Sequence, residues 1–340
     1  MTEQTKIPLP DTRFGTSSVE RATRHLDLAK LGGMPVPAEL IPPPRKLRRI
    51  EPLVREAELM VDEPRLAEPA SPPVVPVKVP ASVAAPVLAV EPVLFTGERF
   101  PVDRALLREQ GLIQPEGGVS GLLEEFRIIK RQLLLQAREL ARAGMGPNAQ
   151  RVLVCSPLPG EGKTYTSVNL ALAIAAEKDS EVLLVDADFA KPSVLSSLGL
   201  PGGKGLMDAL TDPSIDVADC VIGTDIAGLW VLPAGSMTNN DTEYLASSRT
   251  REVLDRLVQG APNRLVIFDS PPALAASPAA ELAKYAGQAA LVARCDRTGR
   301  GALDDAVSLL SACPNIQLLL NGVHFSPSGR RFGSYYGYRG

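Results

Sequence analysis

The chain has 340 residues, a formal net charge of -3 and a pI near 5.7, and 45% of its residues are hydrophobic. That length admits one large domain or two modest ones with a sizeable core, and the mildly acidic balance excludes a general electrostatic attraction to nucleic acid. The four cysteines, Cys155, Cys220, Cys295 and Cys313, stand singly in or beside apolar runs, without metal-ligand spacing or a disulfide pattern, which fits a reducing cytosol.

The N-terminal residues MTEQTKIPLP lack the apolar block of a signal peptide. Ser17-Ser18 followed by Glu20 reads as a helix start, with Val19, Ala22, Leu26 and Ala29 on one face and Gly32-Gly33 as a stop. This amphipathic segment, residues 1–34, is either a docking element for another protein or a helix that packs back on its own chain. Residues 35–97 read as a Pro-rich, flexible linker, because fifteen of the 31 prolines fall between Pro35 and Pro101 and deprive the backbone of amide donors. The most apolar stretch, 74–95, is interrupted by Pro76, Lys78, Pro80, Pro86, Glu91 and Pro92 and cannot form a regular membrane-spanning helix. Membrane association is therefore expected through a partner.

Residues 98–330 read as one folded domain. Pro101 to Gln110 looks helical and stops at Gly111; Leu122 to Ala141 gives a stronger helix, closed by Arg142-Ala143-Gly144. On it Glu124, Arg127 and Lys130 are three apart, which by spacing alone is a solvated face with ordinary ion pairs. From Arg151 strands and helices alternate. Strands are predicted at Arg151 to Cys155, Glu181 to Val185 ending at Asp186, Leu229 to Leu232, Arg264 to Phe268, Ala289 to Ala293 and Ile316 to Leu320. Helices are predicted at 163–176, 204–210, 242–259, 278–285 and 301–311. Near-continuous apolar strands separated by helices imply an α/β fold with a doubly wound, mostly parallel sheet covered on both faces. Such sheets bind ligands beyond the carboxyl ends of their strands.

Three motifs fall there. Ser156-Pro-Leu-Pro159-Gly160-Glu161-Gly162-Lys163-Thr164 follows the first predicted long strand and opens a helix. Its glycines permit a wrap whose amides, with the helix N-terminus, cradle phosphate oxygens. This loop, Pro159 through Tyr165, is the candidate ATP/ADP site, with Lys163 reaching the β and γ phosphates and Thr164 offering a hydroxyl to Mg2+. Pro157 stands where the strict pattern has glycine, so the motif is a relaxed Walker A. Asp269, in Phe268-Asp269-Ser-Pro-Pro272, takes the Walker B position for the metal. Asp186 and Asp188 place two more carboxylates at a strand end, one for the metal shell and one able to accept a proton from an attacking hydroxyl, although alone the pair is equally a polar cap on the sheet. A dinucleotide fold is disfavoured, because Lys-Thr follows Gly162 directly and there is no matching third glycine. His324 has no histidine cluster around it, and Trp230 reads as core.

With these residues in place, the chain resembles the bacterial tyrosine kinases of capsule and exopolysaccharide systems, P-loop relatives of the MinD/ParA ATPases. It is most similar to the exosortase-associated tyrosine autokinase branch, over roughly residues 120–340. The resemblance implies catalytic roles for Lys163, Asp186, Asp188 and Asp269, and metal ligation by Thr164, Asp186 and Asp269. Leu122-Leu-Glu124-Glu-Phe-Arg127-Ile-Ile-Lys130 is similar to that family's ring-forming helix, so it implies a homo-oligomer held through Glu124, Arg127 and Lys130. Residues 331–340, with Tyr335, Tyr336 and Tyr338 after Arg330-Arg331, resemble the tyrosine tail that is autophosphorylated between subunits.

The resemblance further implies a cytoplasmic protein peripherally associated with the inner membrane through a separate chain-length determinant or activator, with no nucleic acid partner. Three departures stand against the family pattern: Ala190 followed by Lys191 in place of an arginine, Lys130 in place of the last interface arginine, and a short tyrosine cluster. The competing reading is a MinD/ParA-like ATPase whose acceptor is water. That class resembles this chain but carries a lysine where Leu158 stands, and it usually ends in an amphipathic membrane helix. A nucleotide-bound scaffold for polysaccharide machinery is the third alternative.

Overall fold

A computed structural model describes residues 91–323. The expected helix in 1–34, most of the expected linker, His324 and the tyrosines of 331–340 lie outside the described residues.

Among the described residues eight strands form one sheet: β1 (Arg99–Phe100), β2 (Arg151–Cys155), β3 (Glu181–Asp186), β4 (Ile222–Thr224), β5 (Leu229–Leu232), β6 (Arg264–Asp269), β7 (Gln288–Arg294) and β8 (Ile316–Asn321). Their order across the sheet is β1-β4-β5-β3-β6-β2-β7-β8, and every neighbouring pair is parallel except β4 with β5. The mostly parallel, doubly wound reading holds. Strands β1 and β4 escaped the sequence reading because two or three residues are too short to show a period.

Nine helices flank the sheet among these residues: α1 (Arg104–Glu109), α2 (Gly121–Arg142), α3 (Lys163–Ala175), α4 (Val194–Leu198), α5 (Leu206–Thr211), α6 (Asp241–Leu245), α7 (Ser248–Val258), α8 (Pro278–Ala283) and α9 (Arg300–Leu309). Alternate strand residues feed two cores. Val152, Val154, Val182 and Leu184 pack with Leu107 of α1, Phe126 and Leu133 of α2, and α3. Leu153, Cys155, Leu183 and Val185 pack on the opposite face with α5 to α9. A central strand buried on both faces has no polar side to alternate with, which is why these runs read as continuous. Helix α3 is buried all round from Thr166 to Ala175, so it is the pillar under the sheet rather than an amphipathic cover.

Three differences from the sequence reading have local causes. The single helix expected over 242–259 is broken into α6 and α7, because Ser247 takes an extended conformation and the Thr250 hydroxyl donates to the Tyr244 carbonyl across the break. Packing also reaches back into the segment read as linker. The Val93 amide donates to the Gln259 carbonyl, Arg264 donates to the Val93 carbonyl, and Phe95 is held edge-on to Trp230 and under the Arg264 guanidinium. Trp230 is core, as its strand position suggested.

The third difference concerns α2. Lys130 is only 8% exposed; its ammonium donates to the Ala173 carbonyl at 2.8 Å and pairs with Glu177 at the same distance. It thus meets the carbonyl end of α3, where helical donors run out and a cation is favoured. The expected outward-facing role at a subunit interface does not suit a side chain turned inward. Glu124 and Arg127, by contrast, remain accessible and pair with each other within the helix.

Candidate functional site

The β2 strand sits between β6 and β7, while the chain leaves β2 for β3 on the far side of β6. Loops therefore diverge at the carboxyl end of β2, opening the crevice in which such sheets bind ligands. Residues 156–162 occupy it. Gly160 and Gly162 have φ of +77° and +96°, the left-handed region that disfavours side chains. A Cβ on Gly162 would stand 2.2 Å from the Asn321 amide nitrogen, so that side chain would have to shift, while the left-handed φ itself calls for glycine. No side chain caps the N-terminus of α3, which leaves its first-turn amides available to an anion. These features fit a polyphosphate.

Lys163 opens α3 and places its ammonium 2.8 Å from a carboxylate oxygen of Asp188. Thr164, the next residue, donates to Asp269 at 2.7 Å, and its oxygen lies 3.2 Å from the Ser193 hydroxyl. Asp269 also accepts from the Ser167 hydroxyl at 3.0 Å. Asp186 stands beside Asp269 in the β3 and β6 register, and it accepts the Ser193 and Val194 amides at 2.8 and 2.9 Å. Burial pushes the Asp186 carboxyl up to about 6 and the Asp269 carboxyl up to about 7. Two desolvated carboxylates beside a threonine hydroxyl suit a divalent cation, whose charge offsets the burial of theirs. Among the described residues no three His, Cys, Asp or Glu side chains form a self-contained metal cage. Magnesium suits that arrangement, since it commonly takes one or two carboxylates and completes its shell with phosphate oxygens and water.

The expected residues thus converge, but not all through their side chains. Glu161 is buried with its carboxylate turned into the protein, where it accepts the Leu158 amide at 2.8 Å and the Thr298 hydroxyl. The Tyr165 hydroxyl donates to the Gly111 carbonyl, tying α3 to the turn after α1. Glu161 and Tyr165 therefore have only backbone groups to offer a nucleotide. Pro159 and Gly160 are exposed at the tip of the loop. Sequence reasoning missed Ser167, Ser193, Thr298 and Asn321. Ser167 lies one helical turn after Lys163, and Asn321 ends an apolar strand on the ligand-bearing edge; both positions held a usable signal.

A cavity of about 520 Å³ opens at the opposite, amino-terminal edge between α2 and the turns before β3 and β6, and it holds none of the motif residues. The tip of the phosphate loop, Leu158 to Gly160, is exposed instead.

A family model described as an AAA domain matches residues 153–293, from β2 through β7. The chain is 32% identical over 219 residues to the tyrosine-protein kinase YwqD of Bacillus subtilis, a match covering 64% of this chain and 86% of that protein. It is 34% identical over 204 residues to the putative tyrosine-protein kinase EpsB of Ralstonia nicotianae, covering 59% of this chain but 26% of EpsB. The chain thus spans about a quarter of that longer relative. Among solved structures, the kinase domain of the Escherichia coli tyrosine kinase ETK superimposes with a TM-score of 0.52 at 23% identity, covering 69% of this chain and 91% of that one, which speaks for the fold.

Proposed function

The chain belongs to the bacterial tyrosine-protein kinases, and from that premise we propose that it is an ATP-dependent tyrosine autokinase that regulates exopolysaccharide chain length or export. The observation that carries the reading is the gathering of Lys163, Thr164, Asp186, Asp188 and Asp269 at the carboxyl ends of β2, β3 and β6. The amides of 160–165 and the Lys163 ammonium hold the phosphates and stabilise charge on the transferred group. Thr164, Asp186 and Asp269 hold magnesium, which neutralises phosphate charge when bound.

Asp188 accepts the proton of the attacking tyrosine hydroxyl. Asp188 is paired with Lys163 at 2.8 Å, and phosphate oxygens that compete for Lys163 release Asp188 to face a hydroxyl. The acceptors are Tyr335, Tyr336 and Tyr338 of a neighbouring subunit, in a homo-oligomer to which Glu124 and Arg127 contribute. Among the described residues no helix is long and apolar enough to cross a membrane. We place the protein in the cytoplasm, held at the inner membrane by a separate chain-length protein that also activates it.

The test incubates purified protein, with and without that membrane partner, with ATP and magnesium and maps phosphotyrosine by mass spectrometry. Phosphate should appear on the three tail tyrosines and vanish in Lys163→Ala, and it should fall at least a hundredfold in Asp188→Asn. Phosphate release to water without tyrosine modification would overturn the reading in favour of a MinD/ParA-like ATPase. Recruitment of polysaccharide machinery that survives Lys163→Ala would instead favour a scaffold.

A further inference from the structure

We propose that Glu161, Thr298 and Asn321 form a latch that holds the phosphate loop in its receiving shape before any nucleotide arrives, with Glu161 and Thr298 as positioning residues. The proposal deepens the nucleotide-binding part of the function above and rests on it, but not on the identity of the acceptor.

Glu161 is buried, and the two side chains that hold it, Thr298 and Asn321, are half-buried. The Glu161 carboxylate, 1% exposed, spends one oxygen on the Leu158 amide at 2.8 Å, closing a ring inside the loop. Its other oxygen accepts the Thr298 hydroxyl from the turn after β7. Thr298 is fully used: its oxygen accepts the Arg294 amide at 2.8 Å, and its own amide donates to the Arg294 carbonyl at 2.8 Å. Asn321, at the end of β8, donates to the Glu161 carbonyl at 2.9 Å, while its side-chain oxygen accepts the Gly322 amide at 2.8 Å. The Cys295 amide donates to the Asn321 carbonyl at 3.1 Å, joining the two outer supports to each other.

A negative side chain beside a phosphate site would repel the ligand. Here the carboxylate is directed inward, so its charge is met by an amide and a hydroxyl while the loop tip stays exposed. A loop with two residues at positive φ needs such support, because both glycines are free to adopt many other conformations. Preorganised amides bind and stabilise charge without reorganising at the moment of reaction. Glu161 also lacks any cation among the hydrogen-bonding partners and ion pairs described for it, so its role is geometric rather than charge-balancing.

The test is hydrogen exchange at the Leu158 amide in nucleotide-free protein, read together with fluorescent ADP affinity. Thr298→Val removes the hydroxyl at nearly constant shape. It should speed Leu158 exchange and weaken ADP about tenfold, with strands β2 and β6 as protected as before. Thr298→Ser, which restores the hydroxyl, should return both readings to within about twofold, and Glu161→Gln should fall between. If Thr298→Val unfolds the domain, Glu161→Gln and Thr298→Ser carry the same comparison. Unchanged Leu158 exchange with unchanged ADP affinity in the hydroxyl-lacking or amide variant overturns the latch. Exchange is measured without nucleotide, so that result is independent of whether tyrosine is the acceptor.

Discussion

Replacing Lys130 with methionine separates two roles that the sequence leaves entangled. Methionine keeps the apolar stem along α2 and removes only the ammonium. What is lost is the charged hydrogen bond to the Ala173 carbonyl in the last turn of α3, where the Glu177 amide has already turned to Ile174. A hydrogen bond from a charged donor contributes about 1.5–3 kcal/mol. The Glu177 pair adds little more, because that carboxylate is about half exposed and is rehydrated when its partner goes. A total near 2 kcal/mol in a domain of this size lowers the unfolding midpoint by roughly 4–8 °C. The assay is thermal unfolding at matched protein concentration, with light scattering for oligomeric state. Glu124→Ala and Arg127→Ala, on the accessible face, should shift the midpoint by less than about 2 °C while weakening assembly. The reasoning is refuted if Lys130→Met leaves the midpoint unchanged yet dissociates the oligomer, since that would put its ammonium in a subunit contact.

Other substitutions and conditions have equally direct outcomes. Gly162→Ala should abolish detectable ADP binding in a fluorescence titration, because its Cβ meets Asn321 and its φ is unsuited to alanine; affinity within about fivefold of the parent would contradict this. In chelator, without nucleotide, burial holds the Asp186 and Asp269 carboxyls near 6 and 7, above their unfolded values near 4. The unfolded chain then loses these protons first, so stability should fall as pH rises from about 4 to 7, and magnesium with ADP should flatten that slope. The opposite sign applies at Asp216, which the hydrogen bond from Arg256 holds below the ordinary carboxylate range. Its contribution is present above the unfolded value and disappears as pH falls through the lower folded one, so the unfolding midpoint should drop again below about pH 4. A midpoint that rises steadily down to pH 3 would contradict that limb. Of the four cysteines only Cys295 is exposed, and burial raises the thiols of Cys155 and Cys220 to about 12 and 11. A thiol reagent at pH 8 should therefore modify one equivalent in the native protein and none in Cys295→Ser.

The glycine loop and the positions of the central strands along the chain were legible because their signals are local. Gly160 and Gly162 before Lys163-Thr164, placed after an apolar run, determine a strand, a tight wrap and a helix start within fourteen residues, and the structure reproduces that sequence of elements. Asp186 and Asp269 followed from the same logic, since each ends an apolar strand and so arrives at the edge where loops bind ligands. The break between α6 and α7 was less visible, because Ser247 and Ser248 interrupt a helical pattern without glycine or proline to mark it.

What the sequence alone determined is therefore the make-up of the candidate site: which glycine loop lies at the strand ends, which lysine and hydroxyl stand beside it, and which carboxylates surround them. What only the tertiary structure decided is the direction in which several of those side chains face. Glu161 turns away from the phosphates toward Thr298, 137 residues distant, and Lys130 turns from the surface to the end of α3, 43 residues distant. A glutamate in a glycine loop or a lysine in a helical charge pattern carries the same local signal in either orientation. The choice between them belongs to partners brought near by the sheet, where a buried charge must find its donors or acceptors or remain in water.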